Sequence, residues 1–290
     1  MANNNNATSQ CLRTPRLVIL GREAAFLGTC LSRQEVYRTT QELMLVCLHG
    51  EMVIQPGAGN SIVTRSCLVP PGVLLDQTRI DTRKAVMGLC FLQPFSQDYP
   101  ALASLMVPLE EGICYRHPDE DDLIRAMTRA RNQPGISAGT AVKRIRQALI
   151  PERLRGLTFR EFDPRVLAVA RRIRTSLHNA PPLARLAREV DLSESRLEKL
   201  FKEQAGLPIT QYRVRYRVFI STIIMALGYS VTEAALLAGF SNSAHLSRCY
   251  RQVNGLTPSS TFLSPPYLDS VIDESAIELV NPLLEGQPVA

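Results

Sequence analysis

Short apolar runs, each ending at turn residues, fill the chain from residue 17 to residue 92. The runs are LMLVCL at 43–48, MVI at 52–54, SIVT at 61–64, CLV at 67–69 and AVMGLCFL at 85–92. Glycine and proline separate them, as in Pro70-Pro71-Gly72, and such punctuation is typical of short strands. The pattern predicts a β-sandwich or small barrel rather than βαβ units. The expected inward-facing side chains include Leu45, Val53, Ile62 and Val69.

Helical spacing replaces the strand-like pattern after Pro118. Residues 119–131 begin with four acidic residues, which favour a helix N-terminus, and then repeat apolar side chains every three or four positions. Residues 137–150 have the same spacing, with basic side chains mostly on the opposite side. Residues 151–163 form the predicted connector, and only helical signals follow as far as Phe262. A chain of 290 residues is long enough for two domains, so we expect an α+β fold with an all-α second half.

Two stretches of the second half, 183–212 and 231–262, are near-copies of each other. Each predicts a helix, a tight turn and a second helix that begins at a serine and ends at a glycine suited to the left-handed closing conformation. These residues are Ser193 and Gly206 in the first copy and Ser241 and Gly255 in the second. Ser230 and Glu233 are spaced as a capping box at the start of the second copy. This arrangement is typical of a helix-turn-helix unit, whose second helix enters the major groove of DNA.

Positive charge is concentrated in the second half of the chain. The formal net charge is +6, but residues 151–263 carry 17 Lys and Arg against 9 Asp and Glu, and residues 264–290 carry 5 acidic residues and no basic one. A basic segment of this kind is the electrostatic footprint of a protein that binds phosphate backbones. A solvated arginine-rich surface is the alternative interpretation.

Polar side chains on the second helix of each copy fall away from its apolar stripe. The resulting candidates for DNA contacts are Ser195, Arg196, Glu198 and Lys199 in the first copy and Ser243, His245, Ser247, Arg248 and Arg251 in the second. Lys199 and Arg248 have the reach and the donors for guanine edges, whereas Arg196 and Arg251 are better placed for phosphates. Periodicity does not separate these roles, and an exposed salt-bridged face is the alternative.

A long helix at 211–227 is predicted between the two copies. Its apolar face could hold the two units at a fixed separation, and a spacing of about 34 Å would let both second helices enter successive major grooves. Arg213 and Arg217 lie one turn apart on this helix and are further candidates for DNA contacts, through phosphate. A solvated arginine pair explains them equally well.

These residues resemble the AraC/XylS family of bacterial transcription regulators over about residues 163–262. The resemblance rests on LA-x-x-x-x-x-S-x-x-x-L-x-x-x-F-x-x-x-x-G-x-P-x-x-x-Y at 186–212 and on GFS-x-x-x-x-L-x-R-x-Y-x-x-x-x-G-x-TP at 239–258. The sequence departs from the family pattern at three places, and these put operator preference in doubt rather than the fold. They are His245-Leu246 in place of an aromatic pair, Asp191 where glycine is common, and Thr261-Phe262 in place of a tyrosine ending.

The resemblance also implies a cupin-like β-barrel before the DNA-binding half, and "LHGEMVI" and "SCLVPPGVLLDQ" within residues 36–76 are similar to elements of such barrels. The helices at 119–131 and 137–150 would then form dimer contacts or internal core. The domains expected from this reading are a disordered N-terminus at 1–16, a cupin-like effector and dimerisation domain at 17–155, an AraC-type DNA-binding domain at 156–263 with helix-turn-helix units at 183–206 and 231–255, and an acidic tail at 264–290. The tail could fold back as a helix on the basic domain or stay mobile.

Catalytic and metal-binding motifs are absent from the sequence. The four histidines, at 49, 117, 178 and 245, show no H-x-H or H-x-x-x-H spacing, and no nucleotide-binding or nucleophile-elbow motif occurs. We therefore expect no enzyme activity, no cofactor and no metal. The seven cysteines are scattered without a C-x-x-C pair and are interpreted as buried, inert thiols, because a redox sensor needs an exposed thiol of low pKa.

The sequence thus predicts a sequence-specific regulator of transcription that binds double-stranded promoter DNA and responds to an effector. The expected partners are RNA polymerase, a second copy bound through the N-terminal domain, and a small molecule. A regulator controlled by protein partners or by cysteine oxidation, without a ligand, is the alternative. The start of the chain resembles no secretory signal, and no apolar run reaches the length of a membrane helix, so a cytoplasmic location is expected.

Overall fold

The computed structural model describes residues 14–29, 37–75, 78–83, 85–177, 179–265 and 267–285. The strands are β1 (Arg16–Leu20), β2 (Glu23–Thr29), β3 (Tyr37–Arg38), β4 (Leu43–His49), β5 (Met52–Ile54), β6 (Ile62–Thr64), β7 (Ser66–Val69), β8 (Leu74–Leu75), β9 (Ile80–Asp81), β10 (Val86–Phe91), β11 (Val107–Pro108), β12 (Cys114–Tyr115) and β13 (Asp269–Ile272). The N-terminal segment predicted to be disordered, 1–16, lies outside the described residues up to residue 13, and Arg16 is the first residue of β1.

Helices occupy most of the chain after β10, as the change of period predicted. The first three are α1 (Asp98–Leu105), α2 (Glu120–Asn132) and α3 (Ala138–Leu149). They are followed by α4 (Pro164–Arg174), α5 (Leu183–Glu189), α6 (Glu194–Ala205), α7 (Ile209–Ala226), α8 (Val231–Leu237) and α9 (Ser243–Asn254), with the short α10 (Glu274–Ile277) and α11 (Asn281–Leu284) near the C-terminus. Within the described residues, no helix is both long and apolar enough to cross a bilayer.

The main sheet has eight strands in the order β11-β12-β7-β4-β10-β2-β1-β13, and two small sheets pair β3 with β8 and β5 with both β6 and β9. The division into a β-rich N-terminal part and a helical C-terminal part is therefore confirmed. The predicted closed, cupin-like barrel is not: within the described residues the edge strands β11 and β13 do not pair with each other. One edge is instead occupied by β13, which comes from the far end of the sequence.

The side-chain alternation of the strands agrees with the prediction at most positions and fails at β5. Leu45 and Val69 are buried, and Ile62 packs at the margin of the same core. Val53 was expected to point inward, but Met52 and Ile54 are the fully buried residues of β5. Since neighbouring side chains of a strand point to opposite faces, Val53 lies on the outer side.

The apolar faces of α2 and α3 are internal core rather than a free surface. Leu123 and Met127 of α2 and Ile145 and Leu149 of α3 pack with Val18 and other side chains from one face of the main sheet. The opposite face of the sheet packs with β5, β8 and β9 in a second core. Of the two interpretations left open for the faces of these helices, the described residues show the internal one.

Strand β1 connects the two parts of the molecule. Val18 belongs to the core under α2 and α3, whereas Leu17 and Ile19 belong to a core that they share with α7, α8 and α9. A separate core, which includes Phe201 and Tyr212, holds α4, α5, α6 and the start of α7 together. The alternation of one strand thus places the sheet directly against the helical half.

The acidic tail folds back, but on both halves of the molecule. Strand β13 pairs in parallel with β1, in the register Val18↔Val271 and Ile19↔Ile272. Ala276 and Val280, which follow this strand, are fully buried in the core shared with α7 and α8. The prediction had left open whether the tail is a mobile segment or a helix on the basic domain; residues 267–285 form a strand and two short helices across the junction.

Candidate DNA-binding site

The first helix pair is built by local sequence signals that the structure bears out. Asp191, in the turn after α5, has a φ of 53°, in the left-handed region where glycine is more usual. The hydroxyl of Ser193 caps α6 by accepting the backbone N–H of Arg196 at 3.3 Å. Gly206 ends α6 with a φ of 74°, as expected of a closing glycine.

Helix α6 separates its apolar and polar faces clearly. Leu197 and Phe201 are fully buried. The four candidate contacts on this helix, Ser195, Arg196, Glu198 and Lys199, are all exposed. The ammonium of Lys199 lies 4.0 Å from a carboxylate oxygen of Glu203, an exposed pair that restrains it only weakly.

The second helix pair follows the same plan with one correction at its cap. Ser230 and Glu233 form the predicted capping box at the start of α8. The predicted cap of the next helix, Ser241, is wrong: α9 begins at Ser243, and Asn242 caps it by accepting the backbone N–H of His245 at 2.8 Å. Asparagine is as good a cap as serine.

The candidates on α9 differ in their exposure to solvent. Leu246 and Tyr250 are buried, and Gly255 ends the helix with a φ of 71°. Ser243, His245 and Ser247 are half-buried, whereas Arg248 and Arg251 are exposed. Within the described part of the chain, Arg248 has no ion-pair partner. Its guanidinium is therefore available to a ligand outside the chain.

His245 is fixed at the start of α9 by its neighbours. Its Nδ1 lies 3.1 Å from the hydroxyl of Ser241, and its ring packs edge-on against Phe240 with centroids 5.3 Å apart. Ala244, next to it, is exposed on the first turn of α9 and was not among the sequence-based candidates, because a methyl group carries no donor. A methyl at such a position can contact the methyl group of thymine.

Arg213 and Arg217 on α7 are engaged with the chain itself. Arg213 donates to the carbonyl oxygen of Pro181, and Arg217 donates to that of Leu177 at 3.0 Å. Burial lowers the pKa of both guanidiniums. Both side chains hold the segment before α5 against α7, and the Nε of Arg213 is buried.

The described residues contain no group of three or more His, Cys, Asp or Glu side chains that could hold a metal ion. His117 is buried, with its Nε2 2.9 Å from the carbonyl oxygen of Leu149, and burial lowers its pKa. Burial raises the pKa of the Cys47 and Cys90 thiols to about 12. Thiols in this state react poorly with oxidants. Cys11, Cys30 and His178 lie outside the described residues.

Comparison with known proteins identifies the helical half. A family model described as a helix-turn-helix domain matches residues 186–263, which run from α5 to the turn after α9. Residues 186–263 therefore form a helix-turn-helix domain that is similar to those of AraC-type transcription regulators. The match ends just before the tail, so the family model does not account for the segment that forms β13, α10 and α11.

Two curated relatives and one solved structure show how far this similarity extends. The HTH-type transcriptional regulator RipA of Corynebacterium diphtheriae is 29% identical over 84 residues, which are 29% of this chain and 25% of RipA. GbdR of Pseudomonas aeruginosa, also an HTH-type transcriptional regulator, is 26% identical over 97 residues, 33% of this chain and 26% of GbdR. Apo ToxT from Vibrio cholerae has a similar fold, with a TM-score of 0.53 and 11% identity over 84% of this chain and 98% of ToxT. The chain thus matches about a quarter of the length of the curated relatives.

Proposed function

We propose that this chain is an AraC-type regulator of transcription, which binds promoter DNA with α6 and α9 as its two recognition helices. The observation that carries the proposal is the repeated build: each helix starts at a side-chain cap, ends at a left-handed glycine and exposes polar and basic side chains opposite a buried stripe. The matched helix-turn-helix domain and the HTH-type relatives support it. The joining helix α7 runs through both cores of the helical half and would hold the two at a fixed spacing.

Base and phosphate contacts divide between the candidates by their reach and exposure. Arg248 and Lys199 are proposed to read base edges, and Arg196 and Arg251 to bind phosphates. Phosphate contacts supply affinity that falls with salt, while base contacts supply the sequence preference. Ser195, Glu198, Ser243, His245 and Ser247 complete the surface that faces the groove.

The test begins with selection of a preferred duplex from a random-sequence library by the full-length chain. Arg248→Ala should weaken binding to that duplex by about 1–3 kcal/mol and relax the preference at one base pair, because a bidentate contact to guanine is lost. Fluorescence anisotropy titrations against the selected duplex and its single-base variants measure both effects. Arg153→Ala, an exposed arginine of the connector, is the charge-matched control. Equal affinity and equal base preference in the two variants would remove Arg248 from the site.

We also propose that the N-terminal part senses an effector in a cavity between the two halves. The cavity has a volume of about 110 Å³, with apolar walls from the sheet and from α7. Three arginines line it, namely Arg22, Arg174 and Arg215. Arg174 donates to the hydroxyl of Tyr212 at 2.8 Å, and its buried Nε has no hydrogen-bond partner among the described residues. Apolar walls beside an unsatisfied cation suit a small apolar acid.

Thermal unfolding of the full-length chain with a panel of small acids tests the effector proposal. Octanoate or benzoate should raise the melting temperature, whereas the corresponding uncharged amides should not, because only the acids supply an acceptor with charge. The shift should vanish in Arg174→Met and persist in Arg171→Met, which changes an exposed arginine of the same helix. Equal stabilisation by acids and amides would contradict the proposal.

The proposal also includes two protein partners, RNA polymerase and a second copy of the chain, and an alternative mode of control without a small-molecule ligand. A regulator at a promoter meets RNA polymerase, and a homodimer would use the outward polar faces of α2 and α3, since their apolar faces are internal. Control by cysteine oxidation is disfavoured for Cys47, Cys67, Cys90 and Cys114, which are buried. Control by protein partners without a ligand would be supported if no effector binds the cavity.

A further inference from the structure

The cavity proposed for the effector borders only one of the two proposed recognition helices. Tyr250, Val253 and Asn254 of α9 line it, and α7 contributes Tyr212 among others. None of the described lining residues belongs to α6. An effector in this cavity therefore touches α9 directly, whereas any influence on α6 has to pass through a side chain that contacts both the cavity and that helix.

Tyr212 joins the cavity to α6. Its hydroxyl accepts a hydrogen bond at 2.8 Å from Nη1 of Arg174, which also lines the cavity. Its ring packs edge-on against that of Phe201 of α6, with the ring centroids 5.3 Å apart. Phe201 is fully buried, and in a close-packed interior a large ring cannot shift without its neighbours. A movement of Tyr212 is therefore transmitted to α6.

Phe95 adds a second contact with α6, from the N-terminal part. It follows Gln93 and Pro94, which line the cavity, in the loop after β10. Its ring lies edge-on to that of Phe201, with the centroids 5.7 Å apart, and its centroid is 6.0 Å from that of Tyr212. The φ of Phe95 is 64°, in the left-handed region, which is uncommon for a bulky residue and persists only where the surrounding packing holds it. The three rings thus connect the cavity walls to α6 from both halves of the molecule.

The hydroxyl groups of Tyr212 and Tyr250 differ in their hydrogen bonds. The hydroxyl of Tyr250 is bonded to Thr222 and Thr261 within the helical half. The hydroxyl of Tyr212 accepts from Arg174, and its own hydrogen has no acceptor among the residues that the structure describes. The Nε of Arg174 is likewise buried without a partner among them. Two donors, one of them charged, are therefore available to the oxygens of a single carboxylate.

We propose that Tyr212 is the second donor to the carboxylate of the effector, and that it passes effector binding to α6 through Phe201. This inference rests on the proposed function, because it assigns the regulation of the same cavity and the same helices. A carboxylate that accepts from both Arg174 and Tyr212 replaces the hydrogen bond between them, and the ring of Tyr212 moves with its hydroxyl. Tyr250 keeps its hydrogen bonds, so α9 stays in place. The position of α6 relative to α9, and with it the fit to two major grooves, then depends on the ligand.

Anisotropy titrations of the full-length chain on its selected duplex, with and without saturating octanoate, test this inference. Octanoate should change the affinity of the wild type for the duplex at least about fivefold, and the duplex should change the affinity for octanoate by the same factor, because coupling is reciprocal. Tyr212→Phe keeps the ring and removes the hydroxyl. It should bind octanoate about tenfold more weakly through Arg174 alone, and its affinity for the duplex should no longer respond to the acid.

The matched control is Tyr216→Phe, which removes a tyrosine hydroxyl from the same cavity one helical turn further along α7. The ring of Tyr216 packs with that of Phe219 instead of Phe201, so this variant should keep the response of the duplex affinity to octanoate. Phe95→Leu keeps an apolar side chain but removes the ring. It should bind octanoate as the wild type does and show a smaller response.

Two variants of the recognition helices locate the response. Lys199→Ala on α6 should reduce it, whereas Arg248→Ala on α9 should weaken duplex binding and keep it. A wild-type response in Tyr212→Phe, or octanoate binding to the wild type with no change in duplex affinity, overturns the inference and leaves the effector site standing. If octanoate does not bind the wild type, the effector proposal fails and the inference with it. If the wild type prefers no duplex, the DNA-binding proposal fails as well.

Discussion

At the scale of single residues, the most unusual ionisable group is a glutamate at the junction of the two halves. Burial is the main cause that raises the pKa of Glu42 to about 7. The positive charges of Arg215 and Arg160 lower this pKa, and the negative charge of Asp98 raises it further. Arg215 reaches the same place from α7: its Nη2 donates to the carbonyl oxygen of Leu92, and the backbone N–H of Leu92 donates to the backbone carbonyl oxygen of Glu42. Burial also lowers the pKa of Arg215 to about 10.

The raised pKa of Glu42 predicts a specific pH dependence of stability. The folded chain binds the proton of the Glu42 carboxyl group more tightly than the unfolded chain does. The contribution of this group to the free energy of unfolding is therefore complete below the ordinary pKa of 4.5, and it is lost as the pH rises through about 7. Its size is roughly 3 kcal/mol. Glu42→Gln should remove this loss, so that the variant gains stability over the wild type between pH 5 and pH 8. Urea unfolding at several pH values measures the difference.

The control for this experiment is Glu51→Gln, which changes an exposed glutamate at the turn after β4. Its unfolding free energy should follow the wild-type pH profile. If Glu42→Gln follows the same profile, the carboxyl group of Glu42 is already ionised in the folded protein at pH 5, and the interpretation of the junction is wrong.

At the scale of elements, the sequence predicted what depends on local chemistry. The helix ends are the clearest case, because a cap is decided by neighbouring residues: Ser193, Gly206 and the Ser230–Glu233 box all lie where the spacing placed them. The error at Ser241 is a choice between adjacent cap residues, Ser241 and Asn242, which periodicity does not distinguish. The error at Val53 has a similar origin, since a three-residue run such as MVI has no alternation to fix its inward side.

Contacts between distant segments were beyond prediction for a different reason. Arg213 and Arg217 have the spacing of a phosphate clamp, and only the tertiary structure brings the carbonyl oxygens of Pro181 and Leu177 to them. The contact between β3 and α9 likewise depends on the tertiary structure, and no local pattern specifies it. The exposure of the four candidates on α6, and of Arg248 and Arg251 on α9, could be predicted because it follows from the helix period alone.

At the scale of the whole molecule, the C-terminal segment, residues 267–285, ties the sheet to the helical half. It makes polar contacts with β1 and the turn after it, and apolar contacts with the core of the helical half. Arg16 forms an ion pair with Asp269 at 2.7 Å, and the backbone N–H of Gly21 donates to the hydroxyl of Ser275 at 3.0 Å. Ala276 and Val280 fill the core that Leu17 and Ile19 share with α7 and α8. Because the same apolar side chains stabilise both halves, we expect them to unfold together.

Removal of residues 264–290 should uncouple the two halves. The truncation exposes the free edge of β1 and the apolar side chains of the shared core. We therefore expect the single unfolding transition of the full chain to become two transitions. We also expect faster proteolysis of the connector at 151–163. Val280→Ala, which leaves a cavity in that core, should cost about 2 kcal/mol and begin the same change. Tyr267→Ala alters an exposed side chain of the same segment and should behave as the wild type. Scanning calorimetry together with limited proteolysis distinguishes these cases, and a single unshifted transition in the truncated chain would show that β1 docks on α7 without help from the C-terminal segment.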